Sequence, residues 1–140
     1  MEIRPYQASD ETAVIELWQR CELTRPWNDP HKDIARKMAV QPELFFVGVQ
    51  NGQLVASAMA GFDGHRGWVN YLAVHPLWQR QGLARQLMRH VEQALQAIGC
   101  PKLNLQVRTG NLQAMAFYEA IGYGQDEVVS LGKRLISDQH

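Results

Sequence analysis

Asn51-Gly52 lies between two apolar, strand-length runs, residues 44–49 and 54–62. Asn-Gly accepts positive φ at both central turn positions, which makes it one of the strongest short-range signals for a β-hairpin. A second turn, Asp63-Gly64-His65-Arg66-Gly67, leads into a third strand-like run at 68–74. The middle of the chain is therefore predicted to be three consecutive hairpin-linked strands. The helical segments on either side must then pack on the sheet these strands form.

The flanks follow from periodicity and breakers. Residues 1–6 read as a short strand. Ser9 or Asp10 is placed to cap a helix whose apolar positions Val14, Leu17, Trp18 and Cys21 recur at helical spacing. The segment TRPWNDP, 24–30, ends it, and Asp29-Pro30 reads as N-cap and first residue of a second helix carrying Ile34 and Met38. After Gly82, the residues Leu83, Leu87, Val91, Leu95 and Ile98 line one face of a third helix, which Gly99 and Pro101 terminate. Leu103, Leu105 and Val107 alternate as a strand, 111–121 is helical with Gly122 behind it, and 128–131 is predicted as a last strand. The order is β-α-α-β-β-β-α-β-α-β. It describes one α/β domain over 1–140, a mixed central sheet flanked by helices.

The 14 basic and 14 acidic residues among 140 balance. A protein built mainly to grip nucleic acid or an anionic membrane usually needs a basic excess, so neither partner is expected. Cys21 and Cys100 are the only cysteines and stand in no metal-ligand spacing, so reduced thiols and no metal are expected. No apolar stretch reaches membrane-spanning length, and MEIRPYQASDE lacks an apolar leader core. A cytoplasmic location is the resulting expectation.

The stretch VHPLWQRQGLAR, 74–85, carries the first functional signal. A strand stops at Pro76, and a glycine amid polar residues opens a helix. Amide groups of a first helical turn lack partners, and the helix dipole adds partial positive charge there. Gly82 lets a bulky anion approach the backbone, Ala84 is nearly as small, and Arg80 and Arg85 bring bidentate donors. The run is neither a Walker loop nor a GxGxxG fingerprint. By spacing alone it is a phosphate candidate or an ordinary helix start with surface arginines.

The wider segment LAVHPLWQRQGLARQLM resembles the acyl-CoA-binding motif of the GNAT (GCN5-related N-acetyltransferase) superfamily, a strand followed by [QR]-x-x-G-x-[GA]. Gln79, Gly82 and Ala84 match it. Asn111, Ala114, Phe117-Tyr118 and Gly122-Tyr123 resemble the family's second motif, and the order of elements is similar over nearly the whole chain. LTRPWNDP and GFDGHRG further resemble an enterobacterial subgroup of acetyltransferases of unassigned substrate, the YpeA-like proteins.

The resemblance implies an acetyl-CoA-dependent N-acetyltransferase in which a primary amine of a small molecule, an amino acid or a protein attacks the thioester directly. It implies that the pantetheine arm pairs with backbone at Leu72, Ala73 and Val74, and that the diphosphate rests on Gln79, Arg80, Gln81, Gly82, Leu83, Ala84 and Arg85. It implies an oxyanion contact from a backbone N–H near Leu72, protonation of the departing thiolate by Tyr118, and a polar coenzyme contact from Asn111. Asn111 serves equally as a plain helix N-cap, and Tyr118 as core beside Phe117.

A base is less apparent. Many family members carry a glutamate in the strand matching 68–74, where this chain offers Asn70, which cannot accept a proton. Asp63 and His65 are the catalytic candidates, with Glu22 and Asp29 as others; Asp63 and His65 also suit a simple turn. The family usually walls its acceptor cleft with the segment between the first two helices. Here that places Arg25, Trp27 and Asn28 as substrate-binding candidates with Asn70, Arg25 for a carboxylate and Trp27 either for an amine or aliphatic stem or as a core plug under the double-proline loop. The competing reading is a non-catalytic acyl-CoA-binding regulatory module. A homodimer is one assembly open to the chain, whose sequence does not itself specify an oligomeric state.

Overall fold

The computed structural model describes residues 1–139. It contains β1 (Glu2–Pro5), α1 (Glu11–Arg20), α2 (Pro30–Met38), β2 (Phe45–Gln50), β3 (Gln53–Phe62), β4 (Gly67–Val74), α3 (Leu83–Ala97), β5 (Leu103–Asn104) and α4 (Leu112–Ala120). The strands form one sheet in the order β1-β2-β3-β4-β5, antiparallel except for the parallel β4–β5 pair. The predicted hairpin is there, with Asn51 at φ 52° and Gly52 at φ 76° turning β2 into β3.

Each face of the sheet has its own core. On one face α3 presents Leu83, Leu87, Met88, Val91 and Leu95 to Phe46, Val55, Ala58, Val69 and Val74, and Phe117 and Tyr118 of α4 pack against the same cluster. On the other, α1 and α2 bring Val14, Leu17, Trp18 and Ile34 against Phe45, Val47, Met59 and Ala73. Gly67 marks the tightest approach between layers. A Cβ there would lie 2.8 Å from Cys100 Sγ and 3.0 Å from Leu95 Cδ1.

Strand β4 departs from regular pairing in two ways. Ser57 pairs with Ala73 and Met59 with Asn70, so the single residue Ala58 opposes both Tyr71 and Leu72. That extra residue is a β-bulge, and Tyr71 sits in it at φ 53°. Beside β4, β5 pairs only at Gly67–Leu103 and Trp68–Asn104. Among the described residues, β4 has an open edge on that side from 69 onward.

Several predicted elements change. Residues 128–131 form no strand. Val128, Val129 and Leu131 are 78%, 84% and 91% exposed, and β-branched residues make a strand only where a ladder receives them. The strand expected over 103–107 shortens to two residues for the same want of a neighbour. Neither Ser9 nor Asp10 caps α1 through its side chain. The Asp10 carboxylate instead accepts from the Gln7 amide at 2.8 Å, closing a 3-10 turn, and is held by Arg4 through bonds of 2.8 and 2.9 Å.

Candidate active site

The loop after β4 is built from backbone. Gln79 folds back, its Nε2 donating to Val74 O at 3.0 Å, and pins the loop to the end of the strand. Arg80 and Gly82 both take left-handed conformations, φ 64° and 78°, which swing the chain into α3. The first amide of that helix to find a carbonyl is Gln86, bonded to Gly82 O at 3.0 Å. Among the described residues, the amides of Leu83, Ala84 and Arg85 have no acceptor, and no carboxylate pairs with Arg80 or Arg85. A Cβ on Gly82 would meet no described atom beyond its chain neighbours within 4 Å, so the backbone at the helix mouth is open to approach. Donor-rich backbone facing open space at a helix N-terminus fits an anionic diphosphate.

The strand leading there divides its roles. Ala73 and Val74 are buried, and Leu72 packs on the α3 side. All three lie on the open edge beyond the last β5 pair, and Leu72 stands in the bulge outside the paired register. Asn70, just before the bulge, is exposed. Val74 O also accepts from the Cys21 thiol at 3.2 Å, and burial raises that thiol's pKa.

Tyr118 lies on α4 between Phe117 and Tyr123, ring centroids 5.1 and 5.8 Å away, both edge-on. Burial pushes its phenol up to about 12. It therefore carries its proton throughout the neutral range, as a proton donor must. Asn111 is the N-cap of α4, its Oδ1 accepting from Ala114 N at 3.1 Å.

The β3–β4 turn holds Asp63 tightly. Asp63 Oδ1 accepts from the amides of Arg66 and His65 at 2.7 and 2.8 Å, and these two bonds keep the carboxyl below its ordinary pKa. The turn precedes β4, while the diphosphate-fitting loop follows it. β4 starts at Gly67, and at roughly 3.3 Å per residue Leu72 lies about 17 Å along it from the end of the turn. The structure does not bring Asp63 and His65 up to the bulge.

The segment between α1 and α2 is fixed by interactions the sequence did not disclose. Arg25 Nη1 donates to Glu22 O and Thr24 O at 2.7 and 2.9 Å. Trp27 is 47% exposed, with the Arg108 guanidinium 5.9 Å from its ring centre. Asp29 caps α2 as expected. The remote C-terminal segment then closes over this loop. Arg134 donates to Asn28 Oδ1 at 2.7 Å, Asp138 accepts from the Asp29 amide at 2.9 Å, and Gln139 donates to Pro26 O at 3.2 Å.

Tyr71 and Asp33 were also not singled out by sequence. Tyr71 Oη donates to Asp33 Oδ2 at 2.6 Å, and the Tyr71 ring stacks on Trp18 with centroids 3.8 Å apart. Asp33 lies one turn into α2 beyond the Asp29 cap, and that spacing from the double-proline loop was the available signal.

Comparison with known proteins bears on the family and the fold. Residues 12–123 match the acetyltransferase (GNAT) family model. An acetyltransferase from Yersinia pestis is 50% identical over 139 residues, covering 99% of both chains. Among solved structures, the ribosomal-protein-S18-alanine N-acetyltransferase of Escherichia coli superposes with a TM-score of 0.74 at 30% identity, over 89% of this chain and 78% of its own. A NatB acetyltransferase complex bound to CoA and MES superposes with a TM-score of 0.77 at 24% identity, over 89% and 84%.

Proposed function

The chain belongs to the GNAT acetyltransferase family, and from that premise we propose that it moves an acetyl group from acetyl-CoA to a primary amine of a small molecule, an amino acid or a protein. The observation that carries this is the open edge of β4 running into a loop where the Leu83, Ala84 and Arg85 amides lack acceptors. Acetyl-CoA supplies the acetyl group as an activated thioester. Backbone of Leu72, Ala73 and Val74 would hold the pantetheine arm as an added strand, with residues 79–85 on the diphosphate. Asn111 would steady the coenzyme from the start of α4.

The Leu72 amide, displaced from the ladder by the bulge, would stabilise negative charge developing on the carbonyl oxygen. Tyr118 would return a proton to the departing sulfur. Asn70, exposed beside the bulge, would order the water that takes the amine's proton. Arg25, Trp27 and Asn28 would wall the acceptor cleft, and Asp63 and His65 would stand at its outer rim, within reach of a long acceptor only. The resemblance of LTRPWNDP and GFDGHRG supports placement in the YpeA-like subgroup. A cytoplasmic location and a homodimer burying Val128, Val129 and Leu131 complete the proposal; sedimentation velocity tests the latter.

The direct test is release of free CoA thiol from acetyl-CoA across a pooled amine library that includes alanine-initiated peptides, since one structural relative acts on a protein's alanine. Amine-dependent thiol release supports transfer. Tight acetyl-CoA binding with no release for any amine would favour the regulatory-module reading, which Asn70 in place of an acid supports.

A further inference from the structure

Tyr71 is a non-glycine residue held at φ 53° in the interior of a strand, a conformation that persists only where its surroundings enforce it. Three contacts do so. Its ring lies on Trp18 with planes 10° apart. Its carbonyl accepts from Ser57 Oγ at 2.9 Å, and Ser57 Oγ in turn accepts from Trp18 Nε1 at 2.9 Å. Its hydroxyl donates to Asp33 at 2.6 Å. Trp18 and Ser57 are fully buried, so this end of the chain of contacts cannot shift without moving the core. The Asp33 end is anchored on α2, where Arg36 Nη1 donates to its other oxygen at 3.3 Å.

We infer that Asp33 and Tyr71 are positioning residues for acetyl transfer, clamping the β4 bulge so that the Leu72 amide faces the thioester carbonyl. The inference rests on the acetyl-CoA reading proposed for this site and adds to it the groups that fix the amide's direction. A peptide plane is rigid, so the ψ of Tyr71 and the φ of Leu72 together aim the amide between them. The Ser57 bond holds the Tyr71 carbonyl, which belongs to that same peptide plane. The hydroxyl bond fixes the far end of the ring and stops the residue relaxing to an ordinary extended conformation. Asp33 also lies on α2, whose Asp29 cap directly follows the Arg25–Asn28 segment proposed as the acceptor wall, so one side chain ties that wall to the oxyanion donor.

The test uses the full chain with [1-¹³C]acetyl-CoA, its carbonyl resonance followed by NMR on binding, and thiol release with the amine found in the screen. In the wild type the bound carbonyl should move downfield of the free one. Tyr71→Phe keeps the ring stack and removes only the hydroxyl. Both it and Asp33→Ala should return the resonance toward its free position and lower kcat about tenfold, with the acetyl-CoA KM unchanged, because an oriented donor acts mainly on the transition state. Asp33→Asn keeps an acceptor for the hydroxyl and should behave as wild type. Folded Tyr71→Phe and Asp33→Ala variants with unchanged carbonyl shift and kcat would overturn the inference alone. A wild type that does not bind acetyl-CoA would overturn the transfer reading and this inference with it.

Discussion

Arg36 and Asp138 stand 102 residues apart in sequence and meet through guanidinium bonds of 2.6 and 3.4 Å. The Asp138 side chain is only 1% exposed and also receives Arg134 at 3.0 Å. With the Asp29 amide as a further donor, this carboxylate ties α2, the loop before it and the C-terminal segment together.

Removing that carboxylate should loosen the loop before it affects the core. The Arg36 bond, followed by the Asp29 amide and Arg134, holds the Asp138 carboxyl far below its usual pKa. A depressed folded-state pKa contributes stability above the unfolded value of about 3.9 and loses it as pH falls. Asp138→Ala should therefore lower Tm at pH 7 and speed amide exchange over 24–31, and its Tm deficit should shrink as pH drops below about 4. Melting curves across pH 3–7 with hydrogen exchange check both. Equal Tm deficits at every pH would assign the effect to packing.

Gly82 gives a separate prediction about the coenzyme. Its φ of 78° disfavours any side chain, so Gly82→Ala should cost about 1 kcal/mol of stability. The added methyl would point into open space at the helix mouth, where the diphosphate is proposed to rest. Acetyl-CoA affinity should fall about tenfold or more by calorimetry, about 1.4 kcal/mol. Undiminished affinity in the folded variant would remove the diphosphate from this loop.

What could be read from sequence tracks the range of the interactions involved. Asn51-Gly52 forms its turn from local preference, and Asp29-Pro30 starts α2 for the same reason, so both were legible. The Tyr71 bulge was not. Apart from Asn70 the run 68–74 stays apolar with or without an extra residue, and only pairing with β3 shows that Ala58 opposes two residues. Val128-Val129 has every local mark of a strand, but a strand also needs a neighbour. The loop's clasp depends on Asp138 meeting residues more than a hundred positions away, which no local pattern encodes. The helix mouth at Gly82 was readable because a glycine opening a helix is a local feature.

Gly67 lies in the short pairing that joins β4 to β5. A methyl there would lie 2.8 Å from Cys100 Sγ and 3.0 Å from Leu95 Cδ1, and Leu95 belongs to the buried face of α3. Gly67→Ala should destabilise by about 1–3 kcal/mol through overpacking. Cys100→Ala in the same chain should recover part of the loss by removing the nearer atom. Denaturant unfolding of the two variants measures this; no recovery would place the strain on Leu95.

Tyr118 provides the most direct check on chemistry, because its two roles have different signatures. As a proton donor to sulfur it needs its hydroxyl; as packing against Phe117 and Tyr123 it needs only the ring. Tyr118→Phe keeps the ring, so Tm at pH 7 and acetyl-CoA affinity should hold while kcat falls by roughly 10²–10⁴. Burial raises the phenol to about 12 in the folded chain, against about 10 when unfolded. A raised folded pKa means the contribution to stability is fully present below pH 10 and is lost as pH rises through about 12. The wild type should therefore lose more stability than Tyr118→Phe on titration across that window, and its kcat should show no basic limb from this residue at neutral pH. A variant with wild-type turnover would leave Tyr118 as packing and move proton return to another donor.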